Sequence, residues 1–216
     1  PQLVGDPSAG AQTLKTFTPE KANQLEFGIK TNLFKNKLNA TISYYNIKVI
    51  DRVITDPSSP FNKIQGGEVE SKGFEIELNA NPINGLNIRA GFSNNDSETT
   101  KSDNTEILNK RPLEAGPETL YNLWANYEFQ EGNLDGFGIG FGFNGASERF
   151  AINYVSTGDF MLPSYTIANS TIFYQAEKYR LSLKVNNLFD KEYYKGWTTI
   201  NPQSPRAVLA NFTYTF

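Results

Sequence analysis

The feature that most limits this chain is its spacing of apolar residues, which recur at every second position in run after run between Gln24 and Phe216. A period of two places successive side chains on opposite sides of an extended backbone. The chain is therefore expected to be all-β. Gln24 to Leu33 sets Leu25, Phe27, Ile29 and Leu33 against Glu26, Gly28, Lys30 and Asn32, and Leu38 to Val49 sets Leu38, Ala40, Ile42 and Tyr44 against Asn39, Thr41, Ser43 and Tyr45. Val69 to Ala80, Leu86 to Ser93, Tyr121 to Phe129, Phe137 to Asn144, Tyr179 to Asn186 and Arg206 to Phe216 repeat the pattern, while Tyr165 to Gln175 is a strand without a clear facing. Nine strands result.

Their connections are of two kinds. Phe34 to Lys37, Pro82 to Gly85, Gln130 to Asp135 and Ala176 to Lys178 are short turns rich in Gly, Pro, Asn or charge. Between them lie longer polar stretches, read as loops from Ile50 to Gly67, Asn94 to Pro117, Ser147 to Pro163 and Phe189 to Ser204. Short turns at one end and long loops at the other are what outer-membrane barrels show. Every strand has one polar or charged face, with Lys30, Glu75, Glu77, Arg89 and Lys184 among its members. Alternation alone leaves open which face is inside. Aromatic residues near strand ends (Tyr44, Phe92, Phe129, Phe216) favour a membrane barrel, in which such residues ring the interfaces.

Composition excludes other classes. No apolar run approaches the roughly 18 residues of a transmembrane helix, and a hydrophobic content of 38% is compatible with a barrel whose alternate residues face a polar lumen. Without cysteine or histidine, thiolate and imidazole metal sites, Ser-His triads and disulfides are all excluded. A net charge of -3 provides no basic footprint for nucleic acid. Bacterial single-chain barrels have even strand numbers, so nine strands predict the C-terminal portion of a larger barrel. On this reading the loop from Pro1 to Pro19 is the remainder of a long loop.

Five blocks in order resemble the C-terminal strands of TonB-dependent outer-membrane receptors: Thr18 to Lys30, Ser71 to Leu78, Leu162 to Thr166, Val185 to Tyr193, and Pro205-Arg206 with the strand ending at Phe216. Among those receptors they look most like ferric-siderophore receptors of the ferrichrome and hydroxamate type. The resemblance implies an antiparallel up-and-down transmembrane β-barrel of about 22 strands around an N-terminal plug, with a periplasmic box that engages TonB. Neither plug nor box is matched by these residues. It further implies a bacterial outer-membrane location, a ferric siderophore as the transported partner, TonB coupling through the missing N-terminal region, and contact with outer-membrane lipid. Iron would be held by the chelator's oxygens, so no cofactor and no protein ligand to metal is expected.

Candidate residues follow. Trp197 lies where the ferrichrome-type receptors place an aromatic side chain against ligand, and Phe150, Tyr154 and Phe160 in the preceding loop extend an aromatic wall suited to a bulky chelate. The plainer reading of all four is loop packing or an interface belt. Lys101, Lys110, Arg111 and Arg149 are loop charges that would attract an anionic chelate or simply be solvated. Phe212, Tyr214 and Phe216 resemble the C-terminal signal read by the barrel assembly machinery. Gly140-Phe-Gly142-Phe-Asn-Gly145 fits a dinucleotide-binding pattern but has no helix after it, so these glycines are read as leaving space beside a plug. Glu75 and Glu77 share one face, and a hydrated wall suits them better than an acid and base pair. No covalent catalysis is expected. The rival readings are a small structural or adhesive outer-membrane barrel and a soluble all-β binding domain.

Overall fold

The computed structural model describes residues 2–4 and 13–216. Its frame is one nine-stranded antiparallel sheet whose spatial order is the chain order. We label these strands β1 (Lys21–Leu33), β2 (Leu38–Asp56), β3 (Ser59–Ala80), β4 (Leu86–Lys101), β5 (Thr119–Glu128), β6 (Phe137–Ala146), β7 (Tyr165–Gln175), β8 (Tyr179–Asn186) and β9 (Ala207–Tyr214). Each strand pairs with its sequence neighbours only, which is the up-and-down arrangement expected. The outer edges of β1 and β9 are left unpaired among the described residues.

Register carries each alternating row across the sheet. Ile88, Ala125, Phe141, Ser170, Val185 and Val208 pair in succession on one face, and the next row holds Tyr127, Ile139, Ile172, Leu183 and Ala210. That face is apolar and open, with Phe27, Ile29, Ile139 and Phe212 all more than half exposed. Aromatic residues collect at its two margins. On the short-turn side, ring contacts link Tyr127 to Phe129, Phe137 to Tyr174, Tyr174 to Tyr179 and Tyr179 to Phe212, at 4.6 to 6.4 Å between centroids. On the long-loop side, Phe74 stacks on Phe92 and Tyr121 meets the edge of Phe143. Beyond the upper margin the same face of β2 to β4 turns polar. Asn46 pairs with Lys72 and Lys72 with Asp96, and the next row is Lys48, Glu70 and Glu98. Tyr121 and Phe129 are separated by roughly 27 Å of strand, or about 20 Å along a membrane normal at the usual strand tilt.

The opposite face carries Lys30, Glu75, Glu77, Arg89, Arg180 and Lys184, with aromatic exceptions that include Tyr45, Trp124 and Phe173. Tyr45 lies over Gly73, Trp124 over Gly140 and Gly142, and Phe173 over Gly138. A Cβ at Gly138 would come within 2.0 Å of the Phe173 ring, and at Gly142 within 2.6 Å of Trp124. The glycine stripe of β6 is therefore occupied by rings from its neighbours, which corrects its reading as vacant space. Arg180 caps Phe173 at 4.2 Å from the ring centroid. This also settles the facing of β7: Asn169, Thr171 and Phe173 belong to the polar face, and Ile172 and Tyr174 to the apolar one.

Two expected loops are partly strand. The stretch from Ile50 to Gly67 continues the β2–β3 ladder to a turn at Pro57 and Ser58, through a bulge between Val49 and Arg52 where Asp51 is left-handed (φ 59°). The first of the connections read as long loops is therefore a tall hairpin. Likewise β4 runs on to Lys101. Of the segment read as loop from Pro1 to Pro19, residues 1 and 5–12 lie outside the described residues, and Gln2–Val4 pairs with Thr13–Lys15. The few buried apolar side chains, including Ala146, Ala151, Leu162, Tyr165 and Ala168, cluster at the long-loop end.

Candidate functional site

Four connections meet at that end, and hydrogen bonds with one ion pair bind three of them to one another. The segment after β4 returns along it, with Thr99 donating to Lys110 O at 2.9 Å and Asn109 donating to Thr99 O at 2.9 Å. Arg111 fixes this return. Its guanidinium donates to Asn95 O (2.9 Å), Asn95 Oδ1 (3.1 Å), Gly116 O (3.1 Å) and Pro117 O (3.3 Å). Asn95 in turn donates to Tyr45 Oη (2.8 Å) and Ser71 Oγ (3.0 Å), so the loop hangs on a polar network across β2, β3 and β4. Burial lowers the Arg111 pKa from its usual value, with no carboxylate hydrogen-bonded to it.

The connection after β6 folds as a small hairpin, Arg149–Tyr154 against Gly158–Leu162, with a bulge between Phe160 and Met161. Three contacts dock it on the preceding loop. Ser156 N donates to Glu106 Oε2 (2.7 Å), Lys110 pairs with Asp159 (3.2 Å) and Asn153 Nδ2 donates to Arg111 O (3.0 Å). The amide of Ser156 holds the Glu106 carboxyl below its usual pKa. The last connection joins through Thr198 N, which donates to Ala151 O at 3.1 Å. Its start is set by Asn187, buried and left-handed (φ 50°), whose side chain exchanges bonds with Lys191 while Asp190 accepts from Arg206 N at 2.6 Å. The Asn-Asn-Leu-Phe-Asp-Lys motif is thus the knot that returns the chain from β8 towards β9.

Between these connections and the β2–β3 hairpin lies a cavity of about 620 Å³, within the range of small-molecule sites. Trp197 and Tyr154 line it; Phe150 and Phe160 do not, Phe160 being half exposed on the far strand of the hairpin. The structure therefore brings two of the four expected aromatics together. Of the loop cations, Lys110 and Arg111 line the cavity, whereas Arg149 donates to Tyr194 O and Lys101 is exposed at the end of β4. Arg52 and Lys63 are cavity residues that the sequence reading missed, because their segment was taken for an undirected loop. Arg52 is paired with Glu114 at 2.9 Å, while Lys63 bonds to Thr55 Oγ1 at 2.7 Å. Asn153 is a further missed residue, buried at 3% exposure, whose Oδ1 has no hydrogen-bond partner among the described residues.

Such a sheet, with an apolar band between two aromatic margins and a charged reverse face, defines a segment of membrane-spanning barrel wall. The model of the TonB dependent receptor-like, beta-barrel family matches residues 1–188, and the chain belongs to that family and to the outer membrane. The metal-pseudopaline receptor CntO of Pseudomonas aeruginosa is 30% identical over 208 residues, which are 94% of this chain and 28% of that protein. The ferrichrome outer membrane transporter/phage receptor of Escherichia coli is 30% identical over 82% of this chain and 24% of its own length. Among solved structures, the siderophore receptor PiuA of Acinetobacter baumannii superposes with a TM-score of 0.76 at 25% identity, over 91% of this chain and 29% of that one. The chain thus spans about a quarter of the length of these relatives. Membership assigns the faces, with the apolar side towards lipid and the charged side towards the lumen.

Proposed function

We propose that residues 1–216 are the C-terminal portion of a receptor barrel that carries a ferric siderophore across the outer membrane, and that its cavity is part of the ligand-binding vestibule. The observation that carries this reading is the cavity itself, in which Trp197 and Tyr154 share a wall with loop cations. Flat apolar rings suit a bulky chelate, and indole N–H and phenol O–H groups add donors for its oxygens. Phe150 and Phe160 lie outside the cavity lining, and no contact with ligand is assigned to them. An even total strand count requires an odd number of strands from the rest of the protein, to pair with the free edges of β1 and β9. Energy would come from TonB through a plug elsewhere in the protein. The segment catalyses no covalent reaction.

Phe212, Tyr214 and Phe216 belong to the assembly signal in this reading. Phe216 stands beyond the end of β9, fully exposed, with its ring 5.2 Å from Tyr214, which leaves it accessible to an assembly partner. Outer-membrane lipid then covers the apolar face. Uptake of radioactive iron supplied as ferrichrome, ferrioxamine B or ferric pyoverdine, into cells with the intact receptor as their sole siderophore route, tests the proposal. Uptake that depends on TonB and falls at least tenfold in Trp197→Ala is expected; uptake of none of the three overturns it.

A further inference from the structure

We infer that Asn153 is a ligand-binding residue of the vestibule, its side-chain oxygen accepting a hydrogen bond from an N–H or O–H group on the part of the chelate that does not hold iron. This rests on the proposed vestibule and adds to it a requirement on the ligand. Asn153 sits in the first strand of the 149–162 hairpin, opposite Asp159, and lines the cavity. Its orientation is fixed by chemistry. The Arg111 carbonyl, 3.0 Å away, can only accept, so the nitrogen must face it and the oxygen must face elsewhere.

That oxygen is the one buried side-chain polar atom without a hydrogen bond among the described residues, in a residue only 3% exposed. Leaving an acceptor buried and unmatched costs about 1–3 kcal/mol. The neighbouring polar side chains are engaged elsewhere: Glu106 by Ser156, Lys110 by Asp159, Arg52 by Glu114, and Arg111 by backbone carbonyls and Asn95. An alanine or valine here would avoid the cost. A donor arriving with the ligand removes it too, and the gain then appears as affinity and as discrimination against chelates with no donor in that position.

The loops seal the oxygen before ligand arrives, so donor binding requires the surrounding loop residues to give. Lys63, with its ammonium on Thr55 Oγ1 and no ion pair among the described residues, supplies the complementary charge for an acceptor group of the same ligand. The chelate class that fits is one bearing both a peripheral donor and peripheral oxygen acceptors. Peptidic and amine-terminated hydroxamates are of this kind.

The test measures equilibrium binding of ferrichrome, ferrioxamine B and ferric pyoverdine to the purified intact receptor carrying Asn153→Ala, Asn153→Asp or Trp197→Ala. The inference expects Asn153→Ala to weaken the tightest-binding of the three about five- to tenfold, and Asn153→Asp, which loses the donor to Arg111 O as alanine does but keeps an acceptor, to weaken it less than alanine does. An amine-terminated chelate such as ferrioxamine B gains on the aspartate variant relative to the others. If Trp197→Ala weakens binding while neither Asn153 variant does, the oxygen is satisfied by trapped water, and the inference fails although the vestibule stands. Equal losses in both Asn153 variants, with a matching fall in ligand-free thermal stability, assign the residue to the Arg111 contact alone and also overturn it. Binding of none of the three chelates removes the vestibule reading and this inference together.

Discussion

Reversing one side chain in the middle of the apolar band tests the assignment of faces. Ala125 lies on β5 between the aromatic margins, paired with Ile88 on one side and Phe141 on the other, and its neighbour Asn126 faces the opposite way, paired with Asn87 and Gly140. Arginine at a lipid-facing position near the bilayer midplane costs about 2–4 kcal/mol. That corresponds to roughly 30- to 700-fold in the folding equilibrium. Arginine at 126 meets a polar wall that already carries Arg89, Arg180 and Lys184, and the hydration of such a face keeps its cost near the ~0.5 kcal/mol typical of exposed substitutions. Denaturant titration of the intact receptor in phospholipid vesicles, followed by the mobility shift of folded barrel on unheated gels, measures both. Ala125→Arg should lower the midpoint sharply and Asn126→Arg barely. The reverse order, or equal effects, would refute the assignment.

Arg111→Met removes four hydrogen bonds that tie the segment after β4 to the wall. The expected loss is about 2–3 kcal/mol of local stability, seen as new protease cleavage between residues 102 and 118 with the barrel itself intact. Gly138→Ala forces the Phe173 ring off the strand and away from Arg180, costing about 1–3 kcal/mol, and Phe173→Leu in the same chain should recover part of it in thermal unfolding. The docking of the 149–162 hairpin should weaken in acid. Glu106 has a folded-state pKa below its unfolded value because it accepts from Ser156 N, so its contribution is complete above the ordinary carboxylate range and is lost as pH falls through the depressed value. The protection of the Ser156 amide from hydrogen exchange, relative to its intrinsic rate at each pH, should fall over that acidic window in the native receptor, and should be flat across it in Glu106→Gln.

Strand number, order and the two faces were legible because a barrel wall repeats a period of two, and each strand pairs only with its neighbours. Turns with Pro82 or Gly85 also announced themselves. What escaped the reading depends on contacts between segments. The polar character of residues 50 to 67 made them read as loop, yet the β2–β3 ladder continues because the left-handed Asp51 and the bulge restore its register. Gly140 and Gly142 read as vacancies since their occupant, Trp124, comes from another strand. Tyr154 and Trp197 were found by their type, but nothing in their spacing separates them from Phe150 and Phe160. Arg111 and Asn153 are 42 positions apart, and their bond exists only once the hairpin has docked.

Membrane sidedness is the claim on which the rest depends, and impermeant labelling measures it. This segment contains no cysteine, so single cysteines can be placed at Thr157, in the hairpin tip beside the cavity, and at Asn133, in the turn between β5 and β6. In intact cells carrying the full receptor, a membrane-impermeant maleimide should label the cysteine at 157 and spare that at 133 until the outer membrane is opened. Labelling of 133 in intact cells with 157 protected would contradict the account.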